Sequence, residues 1–196
     1  AESKIPLNVF NKSNVSWILL SIFLFFTFPV FIAGLLLNAV PFFLPKFIFS
    51  QDNTDYSKVK TNSGDVKIPG NWEQLNKMDD SGQTYLKNKD GVIIAIAQNP
   101  KKAYSFFKNN ISDFENVKLF YTWDSEYYKE NNFYAEKIKE NAELEYIIWK
   151  YNDKKLDNVF LFGSSKSNFL NLLVYTNNWS EDEKIIFLEN LYKLNK

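Results

Sequence analysis

Acidic side chains are the residues of this chain with the clearest capacity for chemistry, and they occur in three groups. The groups are Asp79 with Asp80, then Glu115 with Asp124 and Glu126, and lastly the run at 181–183. Paired carboxylates can act as acid and base when their surroundings separate their pKa values, or they can bind a hard cation through oxygen. None of these spacings has the alternating ligands and closing glutamate of an EF-hand loop. Turn formation and helix capping explain the acids more simply, so we predict no catalytic residue, no metal site and no cofactor.

Three residue types with distinctive chemistry are missing, because the chain has no histidine, cysteine or arginine. Without histidine and cysteine there is no imidazole base, no Ser-His-Asp triad, no thiol nucleophile and no disulfide. Without arginine there is no bidentate group for phosphate or guanine. The first 50 residues hold three of the 23 basic and one of the 23 acidic side chains, which leaves 20 and 22 in the remainder. The missing residue types exclude most familiar enzyme classes, so we predict that the chain is not an enzyme. The near-neutral remainder has no basic surplus, so we predict that it does not bind nucleic acid.

Aromatic residues are concentrated between residues 104 and 134, and three of them are candidates for a partner-binding surface. Trp123, Tyr127 and Tyr128 are interleaved with the charged residues of the same stretch. Aromatic side chains exposed among charges are favoured at protein interfaces. Ordinary packing in the core is the alternative explanation for all three.

An antiparallel β-sheet flanked by helices is the fold predicted for the soluble domain at residues 65–196, which is therefore α+β. Short apolar runs bounded by polar turns predict strands at 84–87, 91–97, 117–122, 144–151, 159–163 and 169–175. A turn at Asn88-Lys89-Asp90 predicts a hairpin of the first two strands, and tight polar turns predict an antiparallel meander of the last three. Helical spacing predicts helices at 101–114, within 123–134 and at 181–194. Ser180 and Glu183 form a capping box that starts the last of these helices.

An uncharged apolar stretch separates Lys12 from Lys46. Its central part, residues 15–38, would span about 36 Å as a helix, enough to cross a hydrocarbon core of roughly 30 Å. It has no polar face at helical spacing, which argues against a buried core helix. We predict a retained single-pass transmembrane helix, in which a proline is tolerated and an aromatic residue marks the interface. The membrane-anchor residues of this helix are Trp17, Pro29 and Gly34.

Residues 39–49 continue the apolar stretch but contain two prolines, which oppose a second transmembrane helix. We predict an interfacial segment in which Phe42 and Phe43 lie at the level of the lipid headgroups. The long side chain of Lys46 would extend from there to water. A re-entrant hairpin is the alternative.

Polar segments flank the apolar stretch on both sides. Residues 1–14 form a polar N-terminal tail, and residues 50–64 have the composition of a linker to the domain. Lys4 and Lys12 precede the predicted helix, whereas only Lys46 follows it closely. The positive-inside rule then places the tail in the cytoplasm and the domain in the periplasm of a bacterial inner membrane.

The order of elements in the domain and two tryptophan-containing segments resemble the PsbP-like superfamily of α-β-α sandwich domains. The segments are Ile68-Pro69-Gly70-Asn71-Trp72 and the turn Asn177-Asn178-Trp179, which leads into the last helix. The resemblance covers residues 67–196. It implies a non-catalytic, extra-membrane subunit that docks on a larger membrane complex, and it assigns no binding residue.

A second resemblance concerns the apolar stretch alone. Residues 28–48 resemble the hydrophobic tail that follows the catalytic domain in some bacterial lysophospholipid acyltransferases. Those enzymes need a histidine-aspartate motif, and this chain has no histidine. The resemblance therefore implies kinship of the membrane segment only.

These observations predict a membrane protein whose domain is a non-catalytic interaction module, an accessory or assembly subunit of a larger membrane complex. Its expected partners are the lipid bilayer and other membrane protein subunits. A membrane-tethered carrier of lipid or of a small ligand is the first alternative. A carboxylate-dependent hydrolase is the second. A dry apolar cavity in the domain would favour the carrier, and a filled core would favour the interaction module.

Overall fold

The computed structural model describes residues 55–78 and 80–196. This part of the chain is an α+β domain with antiparallel sheets and two helices, which confirms the fold class predicted for the domain. Neither helix in the described residues is long and apolar enough to cross a membrane. The predicted tail, transmembrane helix and interfacial segment at residues 1–49 lie outside the described residues, as does Asp79. The same holds for the predicted anchor residues Trp17, Pro29, Gly34, Phe42, Phe43 and Lys46.

Nine strands and two α-helices make up the domain. The strands are β1 (Tyr56–Thr61), β2 (Gly64–Pro69), β3 (Glu73–Gln74), β4 (Thr84–Lys87), β5 (Ile93–Pro100), β6 (Tyr134–Asn141), β7 (Tyr146–Asn152), β8 (Asp157–Ser165) and β9 (Asn168–Tyr175). The helices are α1 (Asp113–Glu130) and α2 (Glu181–Asn195). Strands β1 and β2 pair as a separate hairpin, and the others form one sheet in the order β3-β4-β5-β9-β8-β7-β6. The predicted meander is confirmed, since β6 to β9 pair in sequence order and β9 then pairs with β5.

The two helices cover opposite faces of the main sheet. Phe162 and Gly163 are neighbours on β8, so their side-chain directions point to opposite faces. The ring of Phe120 from α1 stacks on Phe162 with centroids 4.1 Å apart. The ring of Tyr192 from α2 lies against Gly163 on the other side. The domain therefore has three layers, and β8, apolar on both faces, is buried along almost its whole length.

The two faces of the sheet have different chemistry. The face under α2 is lined mainly by aliphatic side chains, among them Ile94, Ile96, Ile148, Leu161, Leu172 and Val174. The face under α1 is lined largely by aromatic side chains, among them Trp149, Tyr151, Phe160, Phe162 and Phe169. Strict alternation of side chains along each strand produces this separation. One sheet thus carries an aliphatic core and an aromatic core.

The predicted hairpin between β4 and β5 is present. The side-chain oxygen of Asn88 accepts the backbone N–H groups of Asp90 at 3.0 Å and Val92 at 2.9 Å. Gly91 adopts a φ of +81°, which a glycine takes without steric cost. The last helix is also confirmed, with both halves of its capping box formed between Ser180 and Glu183.

The predictions of a helix at 101–114 and a strand at 117–122 are wrong. Only Lys101–Ala103 forms a helical turn, of the 3₁₀ type. The backbone N–H and C=O of Lys108 are both bonded, at 2.9 Å, to the side chain of Asn116, so they cannot take part in a helical ladder. The α-helix starts instead at Asp113, where Ser112 caps it by accepting the N–H of Glu115 at 3.1 Å.

Part of the predicted linker at 50–64 belongs to the folded domain. Residues 56–61 form β1, which pairs along its whole length with β2. The prediction failed because this segment is polar and has few apolar residues for a sequence pattern to detect. Val59 is nevertheless buried in the aliphatic core, and its pairing with Val66 sets the register.

Candidate interaction surfaces

Two of the three groups of carboxylates include residues with structural contacts. Glu115 forms an ion pair with Lys118 at 2.8 Å on the surface of α1, and Asp80 is exposed. The acids at 181–183 occupy the first turn of α2, where they complement the helix dipole. Across residues 55–78 and 80–196, no three acidic side chains converge to form a possible metal site.

Lys150 of β7 is the centre of the largest charge cluster among the described residues. Its Nζ lies 2.6 Å from Glu181 Oε2, 3.2 Å from Glu136 Oε1 and 3.6 Å from Asp157 Oδ2. The bond to Glu181, with help from the other two acids, raises the pKa of Lys150 above its usual range. The buried Lys184 donates to the backbone oxygen of Asp157 at 3.0 Å, and burial lowers its pKa. Both lysines tie the start of α2 to the sheet.

Of the three residues predicted to form a partner surface on α1, Trp123 and Tyr127 are partly exposed and Tyr128 is buried. Tyr128 is 6% exposed and stacks on Tyr151 with centroids 4.0 Å apart, so it belongs to the aromatic core and does not face outward. Trp123 is half-buried, with its ring 5.5 Å from that of Phe106. Tyr127 is also half-buried and lies edge-on to Tyr128. The exposed side chains beside them are Thr122, Glu126 and Lys129.

A second surface arises where the two tryptophan segments meet. The ring of Phe187 on α2 lies 5.9 Å from Trp72 and 5.2 Å from Trp179. All three rings are half-buried and pack against the aliphatic core. Segments more than 100 residues apart in the chain thus form one aromatic cluster, which we call the tryptophan cluster.

Side-chain hydrogen bonds to the backbone hold Trp72 and the loop after β2. Ser57 Oγ donates to the oxygen of Gly70 at 2.8 Å and accepts the N–H of Trp72 at 3.0 Å. The indole N–H of Trp72 donates to the oxygen of Pro69 at 2.8 Å. Gly70 has a φ of +88°, which lets the chain turn sharply between β2 and the tryptophan. These bonds fix the ring against the start of the domain.

The turn before α2 holds Trp179 in a similar way. The N–H of Asn178 donates to Thr176 Oγ1 at 3.0 Å, and its side-chain amide donates to the oxygen of Asp90 at 3.0 Å. The capping box at Ser180 then starts α2 immediately after the tryptophan. The turn is therefore bonded both to itself and to the β4–β5 turn.

The tryptophan cluster lies at the end of the domain where the chain enters it. The N–H of Gly70 donates to the oxygen of Asp55, the first described residue, at 2.7 Å. We call this the proximal end; by strand direction and pairing it includes the start of β1, the loop 70–72, the turns 88–91 and 153–156, and the turn 176–180. The distal end holds the opposite turns. There the side chains of Asn62 and Asn99 are bonded at 2.8 Å, and Asn99 also donates to the oxygen of Ser81 at 3.3 Å.

Sequence reasoning missed Phe187 and Tyr56 as surface residues. The helical spacing of Phe187, Leu191 and Leu194 could have marked an apolar edge of α2 next to its buried face. Tyr56 stands in a polar segment and gives no comparable signal. It is 51% exposed at the proximal end.

The chain matches no known family model, and no curated protein is significantly similar to it.

Proposed function

We propose that this chain is a single-pass membrane protein whose domain is a non-catalytic interaction module, an accessory or assembly subunit of a larger membrane complex. The uncharged stretch at 15–38 supports the membrane anchor. The lysines before it support a cytoplasmic tail and a periplasmic domain. The PsbP-like resemblance supports a docking role, which agrees with a helix on each face of the sheet.

The packing of the aromatic core is the observation that favours an interaction module over a carrier of lipid or of a small ligand. The rings of Phe120 and Phe162 stack at 4.1 Å with an interplanar angle of 11°. The rings of Trp149 and Phe160 stack at 4.7 Å with the same angle. Rings in direct contact fill the space between α1 and β7–β8, where a lipid or small-ligand carrier would need an apolar cavity of several hundred Å³.

The contacts of the ionisable groups support a non-catalytic role. Lys150 and Lys184 hold the start of α2, and the buried Lys101 holds the start of α1 through Asp113 at 2.6 Å. Each of these contacts joins a helix to the sheet or to a turn beside it. A structural task thus accounts for the most buried charges of the domain.

We propose the outer face of α1 around Trp123 and Tyr127 as the surface for a protein partner. The face combines aromatic rings with charged residues of both signs, as interfaces with a polar rim do. The exposed Glu126 lies one helical turn after Trp123 and directly before Tyr127, so reversing its charge would place a lysine beside this face.

Mild detergent extraction of the full chain, followed by native sizing and mass spectrometry, tests this proposal. We expect the chain to migrate well above its own mass of 23.0 kDa plus detergent, with a membrane protein partner. Glu126→Lys should release the partner, whereas Glu143→Lys, exposed in the β6–β7 turn, should not. A stable monomer without a partner, or with a retained lipid in stoichiometric amount, would contradict the proposal.

A further inference from the structure

We propose that the proximal end of the domain lies against the headgroup region of the bilayer, with Tyr56 and the tryptophan cluster at the interface. This inference rests on the membrane anchor proposed above and adds to it the orientation of the domain and the residues that contact lipid. The protein-binding face of α1 would then remain available to a partner beside the domain.

The length of chain before β1 limits how far the domain can move from the membrane. In the sequence, only residues 50–54 lie between the predicted interfacial segment and Asp55, whose backbone oxygen is bonded to Gly70. Five extended residues reach at most ~18 Å. The nine residues of β8 alone are about 30 Å long, so the domain is longer than its tether. A tether this short favours an orientation with the proximal end toward the lipid.

The side chains at the proximal end have the chemistry that this position requires. Two aromatic residues in the described chain are more than half exposed, Tyr56 at 51% and Tyr134 at 65%, and both lie at the proximal end. Tyrosine and tryptophan are enriched where hydrocarbon meets water, because one part of each ring system is apolar and another forms hydrogen bonds. At the distal end, by contrast, Phe106 and Phe107 are half-buried against Phe169.

Charge at the proximal end is mixed, which identifies the kind of lipid surface it fits. Basic side chains do not outnumber acidic ones there, since Lys87, Lys89, Lys129, Lys154 and Lys155 occur with Asp55, Glu73, Asp90, Glu130, Asp153, Asp157, Glu181, Asp182 and Glu183. A surface without a basic surplus gains little from anionic lipids. The contact therefore depends on the aromatic side chains, suits zwitterionic headgroups and should be insensitive to salt.

Single cysteines make the orientation measurable, because the chain has no cysteine of its own. Asn71→Cys and Ser167→Cys place a fluorophore at exposed positions of the proximal and distal ends. Each full-length variant is reconstituted into phosphatidylcholine vesicles that carry a nitroxide on the headgroups of both leaflets. We expect quenching at position 71 to be several-fold greater than at position 167, and unchanged by salt. Equal quenching at the two positions, or greater quenching at 167, would overturn the inference.

A longer connecting segment distinguishes binding of the proximal end to lipid from closeness imposed by a short chain. A flexible Gly/Ser segment as long as the predicted linker is inserted after Thr54. Quenching at position 71 should persist in this variant. Adding Tyr56→Glu to it should lower the quenching. Leu194→Glu, on the distal half of α2, is the matched control and should leave it unchanged. Loss of quenching on insertion alone, or an equal effect of the two substitutions, would overturn the lipid contact.

Alkaline carbonate extraction of the same vesicles distinguishes this inference from the proposed anchor. If the full chain is released from the vesicles, the anchor and the orientation both fail. If the chain is retained but position 71 is not preferentially quenched, the anchor stands and only the orientation is wrong.

Discussion

Gly163 of β8 lies directly against the ring of Tyr192, and a Cβ atom built on Gly163 would be 2.2 Å from Cε2 of that ring. The ring has little freedom to withdraw. Its hydroxyl lies 2.6 Å from the backbone oxygen of Ser164 and 2.7 Å from that of Leu144, and the side chain is fully buried. The packing of Tyr192 against β8 therefore depends on a glycine at this position.

Replacing this glycine should weaken the docking of α2. We expect Gly163→Ala to lower the free energy of unfolding by about 1–3 kcal/mol, the usual range for an overpacked core. Urea unfolding of the full chain in detergent, followed by tryptophan fluorescence, measures the change. Ser167→Ala, exposed in the next turn, is the control and should have little effect. An unchanged midpoint for Gly163→Ala would show that α2 can shift without loss.

The side chain of Asn116 should hold the loop before α1 in place. Its amide and oxygen satisfy both backbone groups of Lys108, and its own burial is nearly complete. Asn116→Ala would remove these two part-buried hydrogen bonds, which contribute about 0.5–1.5 kcal/mol each. Hydrogen exchange at the amide of Lys108 should become faster. The exposed Asn110→Ala serves for comparison, and faster exchange there too would argue against a specific role of Asn116.

Glu189 should make part of the stability of the domain sensitive to acid. Burial opposes its ionisation, but bonds from Lys139 at 2.6 Å and Tyr146 at 2.5 Å outweigh burial and lower its pKa below the ordinary 4.5. A carboxyl with a lowered pKa contributes its full stability above pH 4.5, and that contribution is lost as the pH falls through the folded-state value.

Glu189→Gln tests this dependence. We expect the variant to be less stable at neutral pH and to lose less stability than the parent chain between neutral pH and pH values below 4.5. Unfolding curves in urea over that pH range give the comparison. The exposed Glu143→Gln should follow the parent curve. Parallel curves for the parent and Glu189→Gln would exclude this carboxyl as a source of acid sensitivity.

Limited proteolysis should cut before β1. The hairpin protects residues 56–69 by backbone pairing, so the susceptible segment is restricted to residues near 50–54. Protease added to spheroplasts should release a fragment of about 140 residues, as expected for cleavage shortly before Asp55. Release only after lysis would place the domain in the cytoplasm, and prior cleavage within 56–64 would contradict the protection by β1.

Elements with strong local signals were predicted correctly. The capping box at Ser180 and the Asn88 turn are visible in the sequence because the residues that form them are close together in the chain. The central strands β7, β8 and β9 are long apolar runs, and such runs indicate burial on both faces. The errors occurred where a distant contact decides the local structure. The bond from Asn116 to Lys108 prevents a helix in a segment with helical spacing, and pairing with β2 makes a strand of a polar segment.

For the candidate surfaces, too, some features follow from neighbouring residues and others depend on distant contacts. The sequence by itself determined which residue types are absent, where an apolar stretch lies and that Trp179 stands in a turn, because these are properties of composition and of neighbouring residues. Only the tertiary structure decided that Tyr128 is buried on Tyr151, that Phe187 joins the two tryptophans and that this cluster stands at the end where the chain enters the domain. Those relationships depend on strand order and on which sheet face each helix covers, and both arise from packing between residues far apart in the chain.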